Sequence, residues 1–446
     1  MVGMNMDGLV GPSHHYGGLS PGNLASAKNA WQVANPKAAA LQGIAKMRLL
    51  FDLGLVQGVF PPAATPHLPV LRALGFSGRP ETMLRACHRS HPRLLSAVYS
   101  ASSMWMANSA TISSAHDTID HKIHVTPANL QHSFHRSLEV VGTGRMLEKI
   151  FADPEYFVHH SPLPRHADFA DEGAANHMRL WHEPGEVGLS LFVYGRAADD
   201  SAGDQPKTFP ARQSLAASQA VARSHGLHPD QHLFIRQRPE AIDAGAFHND
   251  VVAVAYANVL LCHEQAFVEQ ASVRESVIRY FASRESPFYW LEVPANRICL
   301  ALAVQSYLFN SQILPLADGQ FLLLAPEECR ENPLVWDYLT ELCAQDNPIV
   351  EIRTIDLRQS MRNGGGPACL RLHVPLDREA LNAVHRGIIC DKSLLDHLSQ
   401  WIGKYYRDRL TVDDLADPEF YCDVQEALDE LSNILQLGSI YDFQWV

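Results

Sequence analysis

Helical segments and pairs of short strands alternate along all 446 residues, and no linker divides the chain. This recurring order of helix, strand and hairpin indicates an α/β protein built from similar units, although no residue repeat of fixed period is visible. The polar stretch Arg196–Lys207 is predicted to be a surface loop rather than a domain boundary. Helical spacing predicts helices over Pro36–Leu53, Arg212–His225, Ala266–Phe281, Asp391–Asp408 and Val424–Leu437. Strands are predicted at Leu189–Tyr194 and Cys369–Val374, and hairpins at Val251–Ala255 with Val259–His263 and at Ser306–Ile313 with Gln320–Leu324.

The composition argues against several classes of protein. The chain has 36 basic and 49 acidic side chains and a net charge of −13, so it lacks the positive charge that a nucleic-acid partner requires. It contains no run of about 18 apolar residues, and we therefore expect no membrane partner. The first residues lack the basic and apolar regions of a secretory signal, and none of the eight cysteines forms a C-x-x-C pair. These features predict a cytoplasmic protein.

Motifs for cofactors and metals are incomplete. The stretch VGTG at 141–144 resembles half of a dinucleotide-binding fingerprint, but Leu147 stands where the third glycine belongs. The histidine doublets at 14–15 and 159–160 cannot chelate an ion from one face, because adjacent side chains on a strand or helix point apart. The sequence therefore favours a protein with no organic cofactor and no metal.

The stretch NGGGPAC at 363–369 is the most unusual part of the chain. Its three glycines allow close approach of the backbone to a ligand and positive φ angles, and Pro367 stiffens the end of the loop. Cys369 is predicted to begin an apolar strand, where a thiol facing the loop could reach a pocket. The alternative is a simple turn followed by a buried structural cysteine.

Two further polar clusters could supply the partners of a nucleophile. If FHND at 247–250 is extended, His248 and Asp250 share one face, where the histidine could move protons and the carboxylate could hold positive charge. In DEGAANH at 171–177, Glu172 could orient a histidine or bind a cation. The alternatives are a solvated strand end for the first cluster and the acidic first turn of a helix for the second.

Long segments of the chain resemble the N-succinylarginine dihydrolase family. They are MDGLVGPSHHYGGLSPGNLAS, SMWMANSATI, FHRSLE, DEGAANH, PARQ, FHNDVVAV, SYLFNSQ, NGGGPACLRL, YYRDRLTVDDLADP and LGSIYDFQ, and together they span nearly the whole chain. The resemblance implies a single catalytic domain over residues 1–446 with the pentein fold, an α/β propeller of five ββαβ modules around a pseudo-fivefold axis. It also implies a homodimer that needs no cofactor and converts N2-succinylarginine and water to N2-succinylornithine, carbon dioxide and two ammonia in arginine catabolism.

The resemblance further implies which residues act. The catalytic residues would be Cys369, His248 and Glu172. A guanidinium carbon is a weak electrophile and suits a thiolate, and Arg136 and Arg212 would recognise the substrate carboxylates rather than form surface ion pairs. The substrate contacts implied are Gly17, Gly18, Leu19, Ser20, Pro21, Gly22, Asn23, Leu24, Ala25, Ser26, Asn108, His135, Arg136, Arg212, Asp250 and Asn363.

Two other functions fit the same residues. An arginine deiminase or an amidinotransferase would use the same thiol, imidazole and carboxylates, but a deiminase would stop at the ureido product. A non-catalytic protein that binds guanidino ligands would have no need of the cysteine in NGGGPAC.

Overall fold

The computed structural model describes residues 2–201, 203, 205–316 and 318–445. Within these ranges the strands form five sheets of three strands each. In chain order β1 to β15 are Val2–Gly8, Val56–Phe60, Ala110–Ser113, Ile123–Pro127, Phe157–His159, His177–Leu180, Leu189–Tyr194, His232–Arg236, Ala253–Tyr256, Val259–His263, Tyr289–Val293, Gln312–Pro315, Phe321–Pro326, Ile349–Ile355 and Arg371–Leu376.

The helices of the described residues connect these strands and cover the sheets. In chain order α1 to α17 are Leu24–Lys28, Pro36–Asp52, Leu68–Ala73, Pro80–Ser90, Pro92–Val98, Phe134–Ser137, Val140–Ile150, Leu215–Ser224, Pro239–Asp243, Gln270–Ala282, Leu300–Ser306, Glu327–Glu331, Pro333–Cys343, Arg358–Met361, Arg378–Ala383, Lys392–Tyr405 and Pro418–Ile434. No helix of the described residues is both long enough and apolar enough to cross a membrane.

Every sheet repeats one connection pattern. Its middle strand pairs antiparallel with one neighbour and parallel with the other, which is reached through helices. Four modules run consecutively as β3–β5, β6–β8, β9–β11 and β12–β14. The remaining module is assembled from both ends of the chain, because β15 pairs antiparallel with β1 and β1 pairs parallel with β2. The five ββαβ modules implied by the resemblance are therefore confirmed.

The first strands of neighbouring modules contact one another, as β15 does with β3 and β9 does with both β6 and β12. The segments that lead into these strands consequently meet at one end of the molecule. Near the C-terminus, α16 packs against α2 and α17 packs against α16, and both helices enlarge the core of the module that contains β1. Leu398, Trp401 and Leu428 are among their fully buried side chains.

Most predicted elements are confirmed. Capping residues explain where several of the helices begin and end. The helix predicted at Pro36–Leu53 is α2, which Asn35 caps at its start and Gly54 follows with a φ of +79°. The helix predicted from Arg212 begins later, at Leu215, because Ser214 accepts a hydrogen bond from the Ala217 amide and acts as the N-cap. The surface loop at Arg196–Lys207 is observed in its described residues, whereas Ala202 and Asp204 lie outside them.

Three further boundaries differ from the predictions. The last helix begins at Pro418 rather than Val424, because Asp417 caps it and Pro418 suits the first helical turn. The helix predicted over Ala266–Phe281 begins at Gln270, and the helix predicted over Asp391–Asp408 ends at Tyr405.

Three predicted strands are wrong over part of their length. The strand predicted at Val251–Ala255 is Ala253–Tyr256, because Val251 ends a short 3₁₀ helix that begins at Asn249. Residues 300–306 form α11 instead of leading into a strand at Ser306, and Tyr307 ends this helix with a φ of +53°. The strand of that hairpin is only Gln312–Pro315. Cys369 likewise lies in the turn before β15 rather than in the strand itself. These corrections matter for function, because the turns that replace the strand ends lie at the site.

Candidate active site

Three residues far apart in the sequence meet where strands of different modules begin. Glu172 precedes β6, His248 precedes β9 and Cys369 precedes β15. The side chains of His248 and Cys369 line one cavity. The structure therefore brings together the thiol, imidazole and carboxylate that sequence analysis proposed from separate motifs.

The carboxylate and the imidazole form a buried pair. Nε2 of His248 lies 2.7 Å from Oε2 of Glu172, and each side chain is only 1% exposed. Burial lowers the pKa of His248 to about 4 despite the hydrogen bond with Glu172. Burial alone would raise the pKa of Glu172, but the hydrogen bond from His248 and the nearby positive charges outweigh it and hold that pKa well below its usual range.

These pKa directions define the roles of the ring atoms at neutral pH. Glu172 is ionised and His248 is neutral, so Nε2 carries the ring proton and donates a hydrogen bond to the carboxylate. Nδ1 of His248 has no hydrogen-bond partner within the described part of the chain. Nδ1 is therefore the ring atom whose lone pair can accept a proton from a group in the cavity.

The sulfur of Cys369 lies between two polar side chains. Its thiol donates to Oδ2 of Asp250 at 3.1 Å, and Nδ2 of Asn310 lies 3.0 Å from the same sulfur. Burial and the negative charge of Asp250 raise the pKa of the Cys369 thiol well above its ordinary value. The resting residue is consequently a neutral thiol, and a positive charge that neutralises Asp250 would favour its ionisation.

The geometry of FHND differs from the extended strand considered above. His248 has extended backbone angles, but residues 249–251 form a short 3₁₀ helix. The two side chains therefore do not share a strand face. His248 points to Glu172, whereas Asp250 reaches the sulfur of Cys369, so the motif supplies two partners to two different groups.

The three glycines of NGGGPAC approach side chains of the protein itself. Only Gly364 has a positive φ, +96°. A Cβ atom on Gly364 would lie 1.9 Å from Nδ2 of Asn23, and one on Gly365 would lie 2.4 Å from the ring of Trp105. A Cβ atom on Gly366 would lie 2.9 Å from Oδ1 of Asn310. The loop thus needs glycine because three side chains pack directly against its backbone.

Two buried arginines give this acidic protein local positive charge. Arg136 and Arg212 are 4% and 3% exposed, so the alternative of surface ion pairs is wrong for both. Nη1 of Arg136 lies 3.4 Å from Oε2 of Glu172. Arg212 donates to the carbonyl oxygen of Pro21 at 2.7 Å and its guanidinium lies 4.6 Å from the centroid of the Phe247 ring. Both line the cavity, where they can bind carboxylates.

Most of the other predicted contact residues also line this cavity. Those that do so are Gly17, Gly18, Leu19, Ser20, Asn23, Ser26, Asn108, His135 and Asn363. Burial and the two arginines lower the pKa of His135 to about 3, so it is a neutral side chain there. Asn108 donates to the backbone oxygen of Glu172 at 2.6 Å.

Five predicted substrate contacts lie outside the cavity lining: Pro21, Gly22, Leu24, Ala25 and Asp250. Asp250 lines a second cavity, although its carboxylate also reaches the sulfur of Cys369. Asn23 caps α1, and the start of this helix turns Leu24 and Ala25 toward a different surface depression. Sequence reasoning missed several lining residues, namely His15, Ser100, Ser102, Trp105, Phe247 and Gly364. His15 was considered only as part of a histidine doublet, and Gly364 only as part of the glycine loop. The types of the other four carry no chemical signature, and only the packing of the loops could have identified them.

Comparison with known sequences identifies the family. A sequence model described as succinylarginine dihydrolase matches residues 1–444. The chain belongs to this family. It is 52% identical to the N-succinylarginine dihydrolase of Photorhabdus laumondii subsp. laumondii, over 99% of this chain and 98% of the relative. It is also 52% identical to that of Marinobacter nauticus, over 99% of each chain. The prediction of an enzyme of the succinylarginine dihydrolase family is confirmed.

Solved structures show the fold that this succinylarginine dihydrolase family member shares with other proteins. The apo arginine dihydrolase ArgZ of Cyanobacteria superimposes with a TM-score of 0.51 and 13% identity, over 85% of this chain and 42% of that chain. The N-terminal domain of ArgZ bound to substrate gives a TM-score of 0.50 at 14% identity, over 83% and 98% of the two chains. At these identities the likeness concerns the fold alone. It agrees with the α/β architecture predicted for the family.

Buried titratable groups make the stability of this family member depend on pH. An unfolded chain would protonate its histidines near pH 6.5, whereas burial keeps five of them neutral in the folded protein to about pH 4 or below and holds the pKa of a sixth, His225, well below its ordinary value. Burial also raises the pKa of three carboxyls, which therefore take up protons first in the folded state and offset part of this effect. The histidines are His14, His135, His177, His225, His248 and His373, and the carboxyls are Glu139, Asp171 and Asp250.

We expect the free energy of unfolding to fall by about 4 kcal/mol for each pH unit between pH 6 and pH 5, because the unfolded chain binds about three more protons there. Urea unfolding at pH 7, 6 and 5 measures this slope. The variant His373→Gln lacks one buried histidine, so the difference in bound protons between its unfolded and folded states should be smaller by about one. The slope of the free energy of unfolding against pH should decrease accordingly. A stability that stays constant or rises on acidification would contradict the expectation.

Proposed function

We propose that this chain hydrolyses N2-succinylarginine with two waters to N2-succinylornithine, carbon dioxide and two ammonia. The supporting observation is the cavity in which a thiol, a His–Glu pair and two buried arginines meet, in a chain of the succinylarginine dihydrolase family. The arginines suit the two carboxylates of a succinylated substrate. Asp250, beside the sulfur, suits its guanidinium.

The first half of the reaction removes one nitrogen. When the guanidinium binds, its positive charge neutralises Asp250, and Nδ1 of His248 takes the thiol proton. The thiolate of Cys369 then forms a bond to the guanidinium carbon, and the imidazolium donates its proton to one terminal nitrogen as the carbon–nitrogen bond breaks and ammonia leaves. Water, deprotonated by the same imidazole, attacks the carbon and releases the thiol together with the ureido compound.

The second half repeats this cycle on the ureido carbon. The thiolate displaces the remaining terminal nitrogen as ammonia and forms a thiocarbamate, which water cleaves to a carbamic acid. The carbamic acid loses carbon dioxide and leaves the free amine of N2-succinylornithine. Glu172 keeps Nε2 of His248 protonated and stabilises the imidazolium form in both halves.

The amount of ammonia released per substrate consumed tests this function. The proposed reaction gives two ammonia and one ornithine derivative for each succinylarginine. One ammonia with accumulation of the ureido product would indicate a deiminase, and transfer of the amidino group to an added amine would indicate an amidinotransferase. Binding of succinylarginine without any turnover would indicate a binding protein. Any of these three results would contradict the proposal.

Arg212 should determine the preference for the succinylated substrate. We expect Arg212→Ala to raise KM for succinylarginine about 10- to 100-fold, because a charge-assisted hydrogen bond to a carboxylate contributes about 1.5 to 3 kcal/mol. The ratio of kcat/KM for succinylarginine to that for free arginine measures the effect. Arg297→Ala, which removes an exposed ion pair with Glu341, is the control and should leave this ratio unchanged. An unchanged ratio in Arg212→Ala would exclude the role.

Assembly and location stay predictions. The family resemblance implies a homodimer that acts without a cofactor, on a small-molecule substrate. The scattered cysteines and the lack of a secretory signal predict that it is cytoplasmic. The mass of the purified protein in solution would test the dimer.

A further inference from the structure

We propose that Asn310 is a further catalytic residue, whose side-chain amide donates a hydrogen bond to the sulfur of Cys369 and stabilises its thiolate. The same side chain also holds the loop that carries this sulfur. The catalytic role of Asn310 rests on the proposed function, because it concerns the hydrolysis of succinylarginine. The effect on the thiol itself can be measured without any turnover.

The side chain of Asn310 uses all of its hydrogen-bonding capacity at this site. Nδ2 donates to Sγ of Cys369 at 3.0 Å and to the backbone oxygen of Asp250 at 3.4 Å. Oδ1 accepts from the backbone amides of Gly366 at 2.9 Å and of Cys369 at 3.2 Å. The residue is fully buried. It thus connects the nucleophile, the loop before it and the segment that carries the acid.

The orientation of the amide follows from these contacts. The two backbone N–H groups of Gly366 and Cys369 can only donate, so the atom that faces them must be the oxygen. Rotating the amide by 180° would place its NH₂ group against two donors and its oxygen against the thiol. The NH₂ group therefore faces the sulfur.

The loop is shaped to admit this side chain. A Cβ atom on Gly366 would lie 2.9 Å from Oδ1 and 3.2 Å from the backbone oxygen of Asn310, closer than nearly all real contacts of a Cβ. The backbone oxygen of Asn310 also accepts from the amide of Ala368 at 3.1 Å. The last glycine of NGGGPAC is consequently needed for the approach of Asn310.

The position of Asn310 in its module matches that of the other site residues. Asn108, Glu172, His248 and Cys369 each lie two to five residues before the first strand of a module. Asn310 lies two residues before β12, the first strand of the one module that otherwise contributes no residue to the predicted site. With Asn310 included, each of the five modules supplies at least one side chain from the segment before its first strand.

A hydrogen-bond donor without net charge is suited to the position beside the sulfur of Cys369. The sulfur is buried beside Asp250, and both conditions oppose the thiolate. A lysine or an arginine next to the sulfur would stabilise a thiolate but would repel the guanidinium that it attacks. An amide donor stabilises the negative sulfur through a charge-assisted hydrogen bond and carries no net charge. Asn310 can therefore favour the thiolate without weakening the binding of a cationic substrate.

Alkylation of Cys369 by iodoacetamide tests the proposal, with the modified peptide followed by mass spectrometry so that the other cysteines do not interfere. Asn310→Asp keeps the oxygen that accepts from the loop and loses the donor to sulfur. Asn310→Ala loses both without adding charge. We expect both variants to raise the thiol pKa by about one unit. Alkylation between pH 7 and pH 9 should then slow at least threefold, because the tenfold loss of thiolate is partly offset by higher nucleophilicity.

In turnover, both variants should lower kcat about 10- to 100-fold with KM within about threefold, the size expected for one hydrogen bond to a charged group. Gln312→Met is the matched control, because Gln312 holds the carbonyl oxygen of Pro367 in the same loop at 2.7 Å and makes no contact with the sulfur among the described hydrogen bonds. Its alkylation profile should equal that of the unmodified protein.

An alkylation profile of Asn310→Ala that equals the unmodified one would overturn the proposal. If this variant does not fold, an unchanged profile of Asn310→Asp would overturn it. A shift of equal size in Gln312→Met would also overturn it, because the effect would then come from the loop rather than from the donor. These readouts keep their meaning even if the unmodified protein does not hydrolyse succinylarginine.

Discussion

Replacing Cys369 with serine is expected to lower kcat for ammonia release by about 10⁴-fold or more, as removal of a nucleophile does in other enzymes. A serine hydroxyl is far harder to ionise than a thiol, and the buried position beside Asp250 opposes an anion further. The Kd for succinylarginine should change by less than about threefold, because the side chains proposed to bind the substrate, Arg136, Arg212 and Asp250, are all retained. Steady-state ammonia release and calorimetric titration measure the two effects.

Cys390→Ser is the matched control for this substitution. Cys390 is also buried, but it does not line the cavity that contains His248. The kcat of Cys390→Ser for ammonia release should stay within about twofold of that of the unmodified protein. Turnover of Cys369→Ser within tenfold of the unmodified protein would show that the thiol does not attack the substrate.

Glu172→Gln is expected to lower kcat by about 10³- to 10⁴-fold with little change in KM, an effect like that of neutralising the carboxylate in a serine-protease triad. The substitution removes the negative charge 2.7 Å from Nε2 of His248, so the imidazolium formed after proton transfer loses its counter-charge. A glutamine can also present its NH₂ group to Nε2 and move the ring proton to Nδ1, the atom that must accept the thiol proton. The pH dependence of kcat should shift, because the pKa of His248 falls further.

Glu139→Gln provides the comparison. Glu139 is buried and bonded to Ser102 at 2.5 Å, and burial raises its pKa to about 7, but it does not bond to His248. We expect its kcat to fall less than about tenfold. Equal losses in the two variants would mean that Glu172 acts through general packing or charge rather than through the imidazole.

Local signals in the sequence were sufficient for the long helices and for isolated hairpins. The helix α2 has an asparagine cap, a proline in its first turn and a glycine after its end, and each of these acts within a few residues. The segment SYLFNSQ has no such signal, and its apolar and aromatic residues suit a helix as well as a strand. Its actual path, with α11 ending at Tyr307, depends on Asn310 meeting a loop nearly 60 residues further along the chain.

The candidate site could be predicted in part for the same reason. Cysteine, histidine and carboxylate side chains are recognisable as candidate catalytic groups from their residue type alone. The residues at 369, 248 and 172 could therefore be proposed from short motifs and a family resemblance. Asparagine is common in turns and gives no such signal, and Asn310 went unrecognised although SYLFNSQ carries it. Its role becomes visible only through the shared position before the first strand of each module, and the modules are related in topology rather than in residue sequence.

The pairing of β15 with β1 has a consequence for synthesis of the protein. Cys369 lies two residues before β15, the strand that joins the C-terminal part of the chain to β1. A growing chain therefore cannot assemble the cavity around this thiol until the ribosome has translated β15, so the proposed chemistry requires that the module built from both chain ends has formed.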